Sequence, residues 1–307
     1  MGLGTSFGVY ASTDVAAAED TAAFYGGRGL FAGNWATGNL NTIDYVTIAT
    51  TGNATDFGDL TDARYGTDSA CSNGTRGVFG GGHNKNTIDY VTIATTGDAT
   101  DFGDLTVARG YAAANSNGTR GVFGSGNNAK NTIDYVTIAT TGDATDFGDL
   151  TVSVQARGAC SNGTRGVWGG GYYNNNTIDY VTIATTGDAT DFGDLTSKRT
   201  FLASSSDGTT GVFAGNYSSS STRNTIDYIT IATTGNATDF GDMTQGRWGS
   251  GACSDGTKGL WGGGSTTTSS SGSKNTIDYI TIATTGNATD FGDLTNARTS
   301  EFSCSGD

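Results

Sequence analysis

Asn86-Thr-Ile-Asp-Tyr-Val-Thr-Ile-Ala-Thr-Thr-Gly-Asp-Ala-Thr-Asp-Phe-Gly-Asp-Leu-Thr106 is the stretch on which the reading of this chain turns. It occurs six times almost unchanged, starting at Asn41, Asn86, Asn131, Asn176, Asn224 and Asn275, at spacings of 45, 45, 45, 48 and 51 residues. A period of that size marks an array of units, each burying its apolar faces against its neighbours. Within the stretch, Ile88, Tyr90, Thr92 and Ala94 alternate with Asp89, Val91 and Ile93, as side chains do along a strand. Both sets are largely apolar, which suits a sheet covered on two sides rather than one with a solvated face.

Working outward, the unit around this copy divides into four strand signals. They are Arg64–Cys71, Arg76–Phe79, Thr87–Ala94 and Asp101–Leu105, with turns at Ser72-Asn-Gly74, Gly80-Gly-Gly82 and Thr96-Gly97. Four short strands per unit predict an all-β fold, a six-bladed β-propeller of four-stranded antiparallel blades over residues 24–307. A β-solenoid buries one face only, and its coils are usually shorter. Residues 1–23 fall outside the repeat and read as an N-terminal arm, either a cap or a docking segment. The first unit begins at its second strand, Gly27–Phe31, and the last residues, Arg298–Cys304, are an opening strand with nothing after it. The C-terminal strand is therefore expected to complete the first blade, closing the ring and leaving no open edge.

Composition narrows the function. Fifty glycines and no proline leave the turns to Gly, Asn, Asp and Ser. The net charge of −14 comes from repeat aspartates and argues against nucleic acid, which needs clustered Lys and Arg. No apolar run has the length of a membrane span, so no membrane insertion is expected. No basic segment precedes an apolar core near Met1, so no secretory signal is expected. Cys71, Cys160, Cys253 and Cys304 share one repeat position, held by Asn115 and Ser205 in the other copies. They read as small buried thiols; a metal ring at that level is the alternative, although zinc-type spacings are missing.

The order of a glycine pair after strand two, Tyr in strand three, an aromatic in strand four and Arg leading into the next blade resembles the Kelch repeat. Here those positions are Gly80-Gly81, Tyr90, Phe102 and Arg109, and the likeness covers about residues 26–307. Phe stands where Trp is usual, and no Pro precedes the Arg. The Arg position holds Arg64, Arg109, Arg199, Arg247 and Arg298, but Val154 in one blade, with Arg157 three residues on. The near-identical units also resemble repeat regions of structural proteins of marine tailed bacteriophages. That resemblance implies a virion component (fibre, adhesin or decoration protein) made in the host cytoplasm. It further implies other virion proteins as partners and a symmetric oligomer on the particle.

Chemistry-bearing constellations are few. Asp98, Asp101 and Asp104, three residues apart, form a weak calcium candidate, since hard cations take carboxylate oxygens. The first becomes Asn53, Asn236 or Asn287 elsewhere, which favours turn chemistry. The repeat Arg is expected to pair with Asp104 or Asp89 as a tie between blades. With two glutamates, Glu19 and Glu301, and one histidine, His83, no acid/base or triad arrangement stands out. No catalytic residue and no cofactor is expected.

Variation concentrates in the loop between strands two and three, which alone produces the longer spacings. Its members include Trp35, His83, Asn84, Asn128, Tyr172, Tyr173, Tyr217 and Arg223, all expected on one face of the disc. Loops on a rigid scaffold commonly carry recognition, and aromatic rings suit sugars or interface pockets. The expected function is a non-enzymatic virion structural or host-recognition protein that meets a host-surface glycan or receptor. A cellular Kelch-type protein interaction module is the alternative, and a glycan-acting propeller enzyme a second one.

Overall fold

A computed structural model of the chain describes residues 26–34, 40–66, 69–82, 84–127, 131–173, 175–217 and 222–306. The N-terminal arm lies outside them. Six four-stranded antiparallel sheets form the blades of a β-propeller. Blade 2 shows the common plan: Ala70–Ser72 at the axis, then Arg76–Gly80, Thr87–Thr92 and, outermost, Thr100–Asp104. Blades 3 to 6 follow in order, led by Ala113–Ser116, Gly158–Ser161, Ala203–Ser206 and Trp248–Ser254. Blade 1 takes its innermost strand from the other end of the chain. Phe302–Gly306 pairs with Arg28–Asn34 in a register running from Arg28 opposite Gly306 to Ala32 opposite Phe302. The ring is closed as expected.

Two details differ from the sequence reading, and a third decides between its two alternatives. The innermost strand of blade 2 is three residues long; residues 64–66 and 69, which lead into it, are not strand. The third strand ends at Thr92, before Ile93 and Ala94. The repeat Arg pairs with Asp89 and not with Asp104.

That pairing recurs in every blade. Arg64 Nη2 lies 2.9 Å from Asp89 Oδ2, and Arg109–Asp134 and Arg247–Asp278 repeat it at 2.8 and 3.0 Å, with every side chain fully buried. Arg199–Asp227 and Arg298–Asp44 complete the set with Arg157–Asp179. Arg157 thus does the task of the arginine that Val154 replaces, reaching the same carboxylate from three residues later. The Asp also accepts from the blade before it. Thr61, ending blade 1, donates its N–H to Asp89 Oδ2 at 3.1 Å and its hydroxyl to Oδ1 at 2.6 Å. The last Thr of Asp-Leu-Thr therefore belongs to one blade and its acceptor to the next.

The outer rim explains the invariant Thr-Gly-Asp/Asn-Ala and Phe-Gly-Asp segments. The hairpin of blade 2 lies along the outer strand of blade 1, with Gly97 N–H on Phe57 O at 2.8 Å and Ala99 N–H on Asp59 O at 2.7 Å. The same two bonds recur at all six boundaries. A Cβ at Gly58 would stand 2.4 Å from the Gly97 carbonyl oxygen, so glycine is required by this close approach. Asp59 N–H donates to Asp98 Oδ1 at 3.1 Å, and Asn236 and Asn287 accept in the same way elsewhere. An acceptor oxygen is all the position needs, which is why Asp and Asn interchange.

Near the axis, hydroxyls link the innermost strands. Ser116, Ser161, Ser206 and Ser254 each donate to the matching serine carbonyl of the blade before, at 2.7–2.8 Å. They line a central cavity of about 100 Å³. The cysteines are free and buried. Each thiol fills the space left by a glycine of the next blade: a Cβ at Gly121 would stand 2.5 Å from Cys71 Sγ. Burial pushes the Cys304 thiol up to about 12 and raises that of Cys71 as well, so these two stay protonated.

Two outcomes are expected. Removing residues 298–307 deletes the innermost strand of blade 1 and the Arg298–Asp44 pair, and size-exclusion chromatography should show loss of the compact monomer. Asp89→Ala strands the buried Arg64 charge and should cost about 3–5 kcal/mol in a urea titration. Arg64→Met combined with Asp89→Leu should recover part of that loss, the remainder reflecting the Thr61 bonds.

Candidate functional site

The lead-in segments converge on the axis at the face where the loops between strands two and three emerge. Tyr111, Ala156, Phe201, Gly249 and Ser300 occupy matching positions and all adopt left-handed backbone, with φ of 56°, 59°, 56°, 66° and 61°. Left-handed backbone is unusual for bulky residues and holds only where surroundings enforce it. Here a run of main-chain bonds from blade to blade does so. Ala156 N–H donates to Tyr111 O at 3.0 Å, Phe201 to Ala156 at 2.9 Å, Gly249 to Phe201 at 3.1 Å and Ser300 to Gly249 at 2.6 Å. Gly66 N–H continues it on Ser300 O at 3.1 Å.

Above this hub lies an aromatic cluster. Phe201, 9% exposed, is its centre, with ring centroids 5.3 Å from Tyr111, 6.3 Å from Tyr172, 5.8 Å from Tyr217 and 5.1 Å from Trp248. Tyr65 extends it to 5.7 Å from Tyr111, and Tyr173 packs 4.9 Å from Tyr172. Phe201 and Trp248 are buried as a floor, Tyr65, Tyr111, Tyr172 and Tyr217 are half-buried, and Tyr173 is 73% exposed. Burial, reinforced by the neighbouring Tyr65, raises the Tyr111 phenol well above its ordinary range, so it stays a neutral donor. Among the described residues, blades 2 to 6 contribute rings, and the matching lead-in positions of blade 1 hold Thr299 and Ser300.

Main-chain bonds fix the loops to the hub. Tyr172 N–H donates to Gln155 O at 2.8 Å and Tyr217 N–H to Thr200 O at 2.9 Å. Asn127 accepts Gly110 N–H on Oδ1 at 2.9 Å and donates its amide to Asn84, tying the loops of blades 2 and 3. Of the residues singled out from sequence, Tyr172, Tyr173 and Tyr217 come together, Asn84 sits at the rim, and Arg223 is exposed beside Tyr217. Trp35, His83 and Asn128 lie outside the described residues. Asp98, Asp101 and Asp104 form no ligand set: among the described residues no three His, Cys, Asp or Glu side chains converge on a metal position.

Sequence reasoning missed Tyr65, Tyr111, Phe201 and Trp248. A signal existed in the residues following each repeat Arg, which differ in every blade while their flanks stay constant. Comparison with protein-family models and with curated proteins returned no match.

Glu301 also breaks the six-fold pattern. It is fully buried, neither carboxyl oxygen has a hydrogen-bond partner, and burial raises its pKa well above the ordinary 4.5 against the pull of Arg298 and Arg247. A carboxyl whose folded-state pKa is raised contributes stability that is full below pH 4.5 and is lost as pH rises through the folded value. Glu301→Gln removes that loss. Its melting temperature relative to the parent should therefore rise between pH 4 and pH 8, as read by differential scanning calorimetry at both ends.

Proposed function

We propose that this protein is a non-catalytic recognition module whose hub face binds a saccharide, and that it serves as a host-recognition or decoration component of a bacteriophage particle. The observation that carries the recognition reading is the aromatic cluster around Phe201. It is assembled from the two segments of the repeat that vary, on a scaffold whose other segments hardly vary at all. Half-buried tyrosines over a buried Phe–Trp floor offer flat apolar faces with hydroxyls at their edges, the surface on which sugar rings stack. The phage context is supported by the likeness of the Asn86–Gly97 units to repeats of phage structural proteins. A Kelch-like classification is supported by Gly80-Gly81, Tyr90, Phe102 and Arg109 and by the six blades themselves.

The non-catalytic reading is supported by how the carboxylates are used. Each third-strand Asp is consumed by an Arg and a Thr, and Glu301 is sealed beneath the surface.

Glycan-array screening of the intact protein should return saccharide ligands. Tyr173→Ser, at an exposed ring that the fold does not need, and Tyr172→Ala should each weaken the best ligand by about tenfold or more in calorimetric titration. Unchanged affinity in both variants, or no saccharide bound by the parent, would sink the recognition reading. Co-sedimentation with capsid or tail proteins from the native source tests the virion assignment separately.

A further inference from the structure

One part of the hub face departs from the acidic character of the chain. In blade 5 a concavity of about 370 Å³ opens beside the cluster, lined by Lys198, Arg199, Thr200, Asn216, Tyr217 and Arg223 among others. Three cations meet there with no Asp or Glu in the lining, in a chain with formal net charge −14. Arg199 is the repeat arginine of this blade. Its pKa is lowered to about 10 by burial and then by the charge of Arg223, so the two guanidinium groups repel one another across the site.

Thr200 supplies an independent observation. It is 8% exposed, and its buried hydroxyl has no hydrogen-bond partner. Its main chain is held rigidly, with N–H on Asn216 Oδ1 at 3.2 Å and C=O taking Tyr217 N–H at 2.9 Å. A buried hydroxyl left unpaired costs free energy that a ligand acceptor recovers. Arg199 is already committed, to Asp227 and to Thr225 O at 2.8 Å, so it is not a ligand contact. Arg223 and Lys198, both exposed, are free to close on a ligand.

We infer that this concavity is an oxyanion subsite, taking the carboxylate or sulfate group of an acidic saccharide whose ring lies against Tyr217. Arg223 and Lys198 pair with the anion, and the Thr200 hydroxyl donates to it. A bound oxyanion offsets the Arg199–Arg223 repulsion, and charge-assisted bonds of this kind are the strong ones. The inference rests on the saccharide-binding reading above.

The test is calorimetric titration of the intact protein with a uronic-acid disaccharide, its sulfated counterpart, its neutral counterpart, and inorganic sulfate alone. At least one acidic sugar should bind about tenfold tighter than the neutral one. That advantage should vanish in Arg223→Gln, shrink in Thr200→Val, and weaken as salt rises from about 50 to about 300 mM. The acidic arms identify which oxyanion is taken. Equal binding of acidic and neutral sugars, or an advantage that survives Arg223→Gln, overturns the subsite and leaves the saccharide reading standing. Sulfate bound in an Arg223-dependent way without any saccharide overturns the saccharide reading and the ligand class assigned here.

Discussion

Six buried aspartates hold this molecule together. A carboxylate taken out of water costs several kcal/mol unless it is paired and fully hydrogen-bonded. Here the partners come from two places. The guanidinium arrives on the lead-in segment, and the hydroxyl and N–H arrive from the last Thr of the preceding blade. A blade by itself would bury a carboxylate short of its Thr hydrogen bonds; next to its neighbour it buries a satisfied one. Stability therefore belongs to the boundaries, and an open ring would leave one boundary unmet. This is the physical reason the chain returns its last strand to its first blade.

The same logic recurs at three radii. At the rim, each Thr-Gly hairpin adds main-chain bonds to the neighbour's outer strand, and a glycine makes room for it. Midway, the Arg–Asp–Thr set spans the boundary. At the axis, serine hydroxyls and a run of left-handed residues pass bonds from blade to blade. The rim hairpins, the Arg–Asp–Thr set and the axial serines are constrained by six-fold repetition. Residues that point off the disc are not, and these form the aromatic hub and the cationic concavity. Rigidity beneath lets those side chains hold a binding shape at little entropic cost.

The strands, their number per blade and the closure of the ring were readable because they depend on alternation and period, both local properties. The buried thiols were readable too, since small side chains recurring at one repeat position suit a packed interior. Arg157 was visible as a neighbour of Val154 but not as its replacement. They stand three positions apart, and only the path of the lead-in segment brings the Arg157 side chain to Asp179. The aspartate partner had two candidates in sequence, Asp89 and Asp104. Asp89 stands in a covered third strand, whereas Asp104 closes an outer strand at the rim.

The amino-acid sequence by itself determined that six equivalent four-stranded units would close on one another, because each repeats two apolar faces that only a neighbour can cover. Tertiary structure alone decided where recognition can occur. Tyr111, Phe201, Tyr172, Tyr217 and Trp248 come from four blades and are separated by up to 137 residues in the chain. Nothing in their local spacing brings them together. They meet because the ring folds every lead-in segment onto one axis, a consequence of closure rather than of any single repeat.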